Sequence, residues 1–380
     1  MTRICHLLDG RAGFEQRVGV TQLADHLPEK GLCVTLAAAS PATLLDYVRA
    51  GCDATAGRLT GDSLKLPNGL PLLSICAGAR MLARKRFDLV HAWSAEAAVT
   101  ARKTGDAPLI VTVFDPAIAR REVKMLSRTV RNRHFAVACG TRLVSRRLIE
   151  QGIPAHLCVV LRPGVDFGLI DSVRRSALRG ELGVRKSDCL VIIPEPVTRS
   201  SGAFEAFWAV GFRAHLAGGF RVIVPGPSSE HKRITRFASR LPSIDPSVRP
   251  MPMAAFEELV SVSDVMMTAP RGDIPTTAIA WAMAAGVAVI ATEVPAVTEL
   301  VSHGHGGLLV EPQRGRSPIG ALSRHLMDHA GQKRNVETAH RRAIAMFDLN
   351  RYVTQYVTLY ENVMSGRCPG DRIADPAAEL

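Results

Sequence analysis

The sequence predicts an α/β chain made of two doubly wound, parallel-sheet, Rossmann-like domains. Three observations carry that reading. The first is length: 380 residues exceed one ordinary domain and suit two of about 170–190 residues each. The second is composition. Hydrophobic residues make up 47% but aromatics only 5%, so the cores draw on Leu, Val, Ile and Ala, as strands buried on both faces do. The third is order. Short apolar runs alternate with helix-periodic segments and Gly/Pro-rich turns, which is the pattern of repeated βαβ units.

Residues 4–8 are the first expected strand. The Gly-rich turn Asp9–Gly13 follows, then helical spacing from Phe14 to Leu27 and a second strand at 33–38. A helical pattern covers 71–85, and strands are expected at 87–91, 108–114, 135–139 and 156–161. Helices at 94–103, 117–133 and up to Gln151 separate them. A second run begins after Arg162-Pro163-Gly164-Val165-Asp166, with strands at 189–193, 221–224, 265–268, 288–291 and 307–310. The expected division is therefore 1–165 for the first domain and 166–345 for the second. A C-terminal helix at 346–366 is expected to pack back on the first domain, followed by a polar, disordered tail at 367–380. Tyr352, Tyr356 and Tyr360 recur at helical spacing and read as core. Two such sheets in sequence place a ligand crevice at the carboxyl ends of the strands, the domains facing each other across a cleft.

Composition also excludes. No run of 18 or more apolar residues is present, so no membrane-spanning helix is expected. The apolar start is too short for a signal peptide. Eight cysteines are scattered without a Cys-x-x-Cys pair, which indicates neither a zinc site nor a disulfide framework and suits a cytoplasmic protein. The net charge of +12 is uneven: residues 1–165 hold 23 Lys/Arg against 13 Asp/Glu. In the expected basic helix, Arg120, Lys124, Arg128 and Arg131 share one face with Arg121 beside it. Val123, Met125, Leu126 and Val130 make the stretch amphipathic. It reads either as a solvated face or as a peripheral contact with an anionic membrane surface, at the inner face of the membrane. Nucleic acid is disfavoured, because no aromatics interleave the charges.

Several stretches, in order over roughly residues 4–362, resemble the family 4 retaining glycosyltransferases of GT-B fold. Trp281-Ala-Met-Ala-Ala-Gly-Val-Ala-Val-Ile-Ala-Thr292 is similar to that family's EAMAxGxPVVAS segment. Val297-Thr-Glu299-Leu-Val and Gly306-Gly-Leu-Leu-Val-Glu-Pro312 resemble its PEIV and NGLLVPP segments. Phe87-Asp-Leu-Val-His91, Arg162-Pro-Gly-Val-Asp166 and Arg221-Val-Ile-Val-Pro-Gly226-Pro are similar to its DVVH, PNGVD and LVIVGDGP. The resemblance implies transfer of a sugar from a nucleotide-sugar donor to an acceptor, lipid-linked or polysaccharide, with retention and with no metal or other cofactor.

It also implies a set of site residues, with departures. The family's Glu-x7-Glu element falls on Asp273 and Trp281. Asp273 keeps a carboxylate for the donor sugar, whereas Trp281 replaces the ribose ligand and either stacks on the donor or packs as core. The backbone from Ile274, with Thr276 and Thr277, is implied to hold the donor, and Glu299 to reach the ribose. The family's diphosphate cations fall near Pro196 and Ser201, leaving Arg199 as the one cation on that stretch, either a bidentate phosphate ligand or a solvated loop residue. Gly13, at the helix entrance, either approaches the donor phosphate or simply completes a βα turn. Asp115 either orients an acceptor hydroxyl or caps the following helix. His91, at a strand end, is a candidate catalytic group or a hydrogen-bonded structural one. These departures leave an alternative: a GT-B protein that binds or scaffolds without turnover. An epimerase of the same architecture is a more distant third reading.

Overall fold

The computed structural model describes residues 2–8, 13–38, 64–65, 86–130, 134–170, 172–194, 197–217, 219–225, 230–240, 245–247, 256–312, 320–322 and 328–376. The expected helix at 71–85, Gly10–Ala12 of the first turn, Pro196 and Arg131 lie outside them. The chain forms two compact units. Unit 1 takes Met1–Gly164 and Leu349–Leu380, and unit 2 takes Val165–Asp348.

Unit 1 is a parallel sheet in the order β3-β2-β1-β4-β5-β6-β7. Its strands are β1 (Thr2–Leu8), β2 (Leu32–Ala38), β3 (Leu64–Lys65), β4 (Leu89–Ala92), β5 (Leu109–Val113), β6 (Phe135–Cys139) and β7 (Cys158–Val160). Every residue of β4, β5 and β6 is buried, because helices cover both faces of a parallel sheet. The helices are α1 (Phe14–His26), α2 (Ala95–Thr104), α3 (Arg120–Ser127) and α4 (Arg142–Glu150). Ser94 and Thr141 start α2 and α4, their hydroxyls accepting the N–H groups of Ala97 and Val144 at 3.0 and 3.1 Å.

The basic helix is shorter than the charge pattern implies. It starts at Arg120, where the Glu122 carboxylate accepts the Ala119 N–H at 3.0 Å. Val123 and Leu126 are buried in the core of unit 1, and Met125 and Val130 pack against it. The apolar side of this stretch is used by the fold, and among the described residues Arg120, Arg121, Lys124 and Arg128 are exposed.

The C-terminal α-helix, Leu349–Ser365, completes the core of unit 1, with Tyr352, Tyr356 and Tyr360 all buried. The expectation of a disordered tail is also corrected for residues 367–376; the last four residues lie outside the described ones. Asn362 Nδ2 donates to the carbonyls of Pro369 and Asp371 at 3.1 and 2.8 Å. Asp375 meets the buried Arg162 at 2.8 Å and Arg142 at 2.6 Å. A buried guanidinium needs a counter-charge, and here the partner is supplied from more than 200 residues away.

Unit 2 repeats the plan in the order β10-β9-β8-β11-β12-β14-β13. Its strands are β8 (Cys189–Ile192), β9 (Phe220–Ile223), β10 (Asp245–Ser247), β11 (Val265–Thr268), β12 (Ala288–Thr292), β13 (Ser302–His303) and β14 (Gly306–Val310). Its helices are α5 (Ser172–Glu181), α6 (Ala203–Ala217), α7 (His231–Ala238), α8 (Phe256–Val262), α9 (Thr277–Ala284), α10 (Pro295–Thr298) and α11 (His329–Phe347); the Leu349–Ser365 helix is α12. Among the described residues no helix is long and apolar enough to cross a membrane. In each unit the strand order reverses at a central pair, β1/β4 and β8/β11, and in unit 2 it reverses again at the edge, where β14 lies between β12 and β13. Loops leaving the carboxyl ends of such neighbours diverge and open a crevice.

Candidate active site

In unit 2 three loops at the β8/β11 reversal, where a ligand crevice is expected, are tied to one another. Residues 197–202 follow β8, 269–276 follow β11, and 293–294 follow β12. The first is closed on itself: the Ser201 hydroxyl accepts the Thr198 N–H at 3.0 Å, and the Thr198 hydroxyl accepts the Ser201 N–H at 3.2 Å. The Arg271 N–H donates to the Ser200 carbonyl at 3.2 Å, and the Thr268 hydroxyl donates to the Ser201 carbonyl at 3.4 Å. Gly202 makes this approach possible. Its φ is +66°, and a Cβ there would stand 1.7 Å from the Ala269 carbonyl oxygen. The Thr292 hydroxyl donates to the Pro270 carbonyl at 2.6 Å, joining β12 to the same loop.

Asp273 is half-buried in this assembly, and its Oδ1 accepts the Ala296 N–H at 2.8 Å. The carboxylate thus fixes the loop after β11 against the first turn of α10. Ile274, Thr276 and Thr277 are buried at the entrance of α9. Thr276 is the residue before the helix, with φ −117° and ψ 5°, and its side chain makes no capping hydrogen bond. The N–H groups of Thr277, Ala278 and Ile279 are the ones that such a turn leaves without intrahelical partners. Glu299 is half-buried where α10 ends. Arg199 is exposed on the first loop. Asp273, Ile274, Thr276, Thr277, Glu299 and Arg199 are therefore all carried by the carboxyl edge of one sheet.

Trp281 does not join them. Its whole helix, α9, is apolar and buried all round, and Trp281 is 1% exposed. The reading of Trp281 as a donor contact is corrected: the indole is part of the unit 2 core.

Sequence reasoning missed Arg271. It lies in Pro270-Arg271-Gly272-Asp273, seventy residues from the loop that carries Arg199 in the chain and adjacent to it in space. Its Nη2 meets Glu205 Oε1, in the first turn of α6, at 2.7 Å. Arg199 is thus not the only cation at this edge. An Arg two residues before the aligned carboxylate was the available signal.

The candidates in unit 1 behave differently. His91 is fully buried. Its Nδ1 meets the Tyr360 hydroxyl at 2.9 Å and its Nε2 the Thr112 hydroxyl at 2.7 Å, with Trp93 stacked at 4.4 Å. The partners set a direction. The Trp93 indole can only donate, so His6 Nδ1 accepts at 3.3 Å. His6 Nε2 then carries the proton and faces the Tyr360 oxygen at 3.5 Å. Tyr360 is left to donate to His91 Nδ1, and His91 Nε2–H to Thr112. Burial pushes the His6 pKa down to about 3 and lowers that of His91 well below its ordinary value, the nearby His6 adding to the effect. Two neutral imidazoles in a closed network hold α12 to β1, β4 and β5; the catalytic reading of His91 is corrected to a structural one.

Asp115 is exposed after β5, and its Oδ1 accepts the Ala117 N–H at 2.8 Å in a local turn. It does not cap α3, which begins beyond it. The Gly13 N–H donates to Gln16 Oε1 at 2.8 Å. The N–H expected to close over a phosphate is therefore occupied by a capping side chain of its own helix. Among the described residues, no group of three or more His, Cys, Asp and Glu side chains is placed to hold a metal ion.

Two doubly wound parallel sheets in tandem, with cross-tied loops at a strand reversal, define the GT-B class of glycosyltransferase fold. The model of Glycosyltransferase Family 4 matches residues 16–168, and that of Glycosyl transferases group 1 matches residues 208–328. These two matches, one in each unit, support a family 4-like glycosyltransferase of GT-B fold. No curated protein matches in sequence. Among solved structures it is similar to Anabaena HepE in complex with UDP and glucose, at 17% identity and TM-score 0.76, covering 95% of this chain and 100% of that one. It is also similar to a glycosyltransferase from Rickettsia africae, at 18% identity and TM-score 0.75, covering 96% and 98%. Sucrose-phosphate synthase from Thermosynechococcus elongatus matches at 15% identity and TM-score 0.75, covering 96% and 100%.

Proposed function

We propose that this protein transfers a sugar from a nucleoside-diphosphate sugar to an acceptor hydroxyl with retention, using the carboxyl edge of the unit 2 sheet as its donor site. The observation that carries the proposal is the set of cross-tied loops at the β8/β11 reversal, where Asp273, just before α9 in the chain, binds the loop after β11 to the first turn of α10. In that reaction the bond from the sugar C1 to the β-phosphate oxygen breaks and its electron pair stays on the phosphate. The acceptor oxygen bonds to C1, and its proton passes to the departing phosphate. Charge grows on the leaving group, so fixed N–H dipoles and a guanidinium beside it lower the barrier without a metal. Arg199 faces the diphosphate, Asp273 and the backbone of Ile274–Thr277 hold the sugar, and Glu299 reaches the ribose. HepE, with its bound UDP and glucose, supports a uridine nucleotide as the first donor to try.

The exposed Arg120, Arg121, Lys124 and Arg128 support a second part of the reading, a peripheral contact with an anionic membrane surface made by charge and not by insertion. The first test is a thermal-shift panel of UDP- and GDP-sugars on the purified protein, followed by assay of donor hydrolysis. One donor is expected to raise Tm and to be hydrolysed slowly. If none binds, the donor-site reading is wrong.

A further inference from the structure

We infer that Arg271, oriented by Glu205, is the second cation for the donor diphosphate, taking from the loop after β11 the place that this chain leaves empty on the loop after β8. The inference rests on the donor-site reading above. It starts from a deficit. The stretch after β8 carries Arg199, while the aligned cation positions are Pro196 and Ser201. A leaving diphosphate presents more charge than one guanidinium neutralises.

Arg271 meets that need by position. Its N–H donates to the Ser200 carbonyl at 3.2 Å, which brings the two backbones to the spacing of paired strands, roughly 5 Å. Arg199 and Arg271 therefore leave from neighbouring points, on two loops that are hydrogen-bonded to each other at the strand reversal. Gly202 packed on Ala269 holds those points together. Arg271 lies two residues before Asp273, the expected sugar ligand, so the order along the loop runs from phosphate to sugar.

Glu205 supplies the orientation. Its Oε1 meets Arg271 Nη2 at 2.7 Å, and its Oε2 is buried without a hydrogen-bond partner among the described residues. The Arg271 side chain is 56% exposed and that of Glu205 27% exposed. One edge of the guanidinium is held while its other donors face solvent, which suits a bidentate grip on phosphate. Glu205 acts through Arg271 and is a positioning residue.

The test uses the full chain and titrates UDP and GDP, with uridine and guanosine as ligands that lack phosphate. Arg271→Gln is expected to weaken the better diphosphate roughly ten- to a hundredfold, to leave the nucleoside affinity within twofold and to keep the wild-type Tm. Arg271→Lys, which restores charge without the fork, is expected to recover part of the loss, and Glu205→Gln to lose several-fold. If wild type binds UDP or GDP and Arg271→Gln binds it within twofold, the role of Arg271 is refuted and the donor site stands. Equal losses for nucleoside and diphosphate also refute it. If wild type binds neither UDP nor GDP, both readings fall.

Discussion

Replacing Gly202 with Ala should unlock the candidate site and destabilise unit 2. At φ +66° an alanine pays about 1–2 kcal/mol for the left-handed backbone. The new Cβ would stand 1.7 Å from the Ala269 oxygen, about half an ordinary contact distance, and the obstacle is backbone that cannot rotate aside. The two loops must therefore separate by more than an ångström. That breaks the 3.2 Å bond from Arg271 to Ser200 and the 3.4 Å bond from Thr268 to Ser201, each worth about 1 kcal/mol. The sum is about 3–4 kcal/mol before any loss of core packing. For a domain of this size each kcal/mol moves Tm by about 2–4 °C, so a fall of roughly 6–16 °C is expected by circular dichroism. Donor affinity measured well below Tm should fall with it. A Gly202→Ala protein that melts within 2 °C of wild type would show that the loops are not locked by this contact.

Acid should weaken unit 1 through its buried imidazoles. The folded-state pKa of His6 is about 3 against about 6.5 unfolded, so the unfolded chain binds more protons between those values. Stability is complete above pH 6.5 and falls as pH drops towards 3, by about 3 kcal/mol at pH 4.5 from His6 alone; His91 acts in the same sense. Urea midpoints at pH 7, 5.5 and 4.5 check this, and His6→Gln should flatten the trend. Reversing Arg120 and Lys124 to Glu should abolish sedimentation with vesicles containing phosphatidylserine while leaving Tm unchanged, because both side chains are exposed. Salt near 0.5 M should have the same effect on wild type, since such contacts are screened.

Periodicity and turn chemistry determined the architecture. Runs such as Leu109–Val113 and Val265–Thr268 are apolar over their whole length, and only a parallel sheet covered on both faces accommodates them. The order of the short glycine-bearing motifs placed the candidate site on the unit 2 sheet, and Asp273, Thr276 and Thr277 lie there. What the sequence left open or misjudged depended on contacts between distant residues. His91 reads as a catalytic group at a strand end until Tyr360, from the far end of the chain, takes its ring nitrogen. The tail reads as disordered until Asp375 meets Arg162. Trp281 reads as a donor contact until all sides of α9 are seen to be covered. Arg271 is silent in sequence because its meaning comes from Ser200 and Glu205. Local pattern fixes which elements form, since each depends on near neighbours. The partner of a buried charge or ring is chosen by packing across the sheet, and only the tertiary structure decides it.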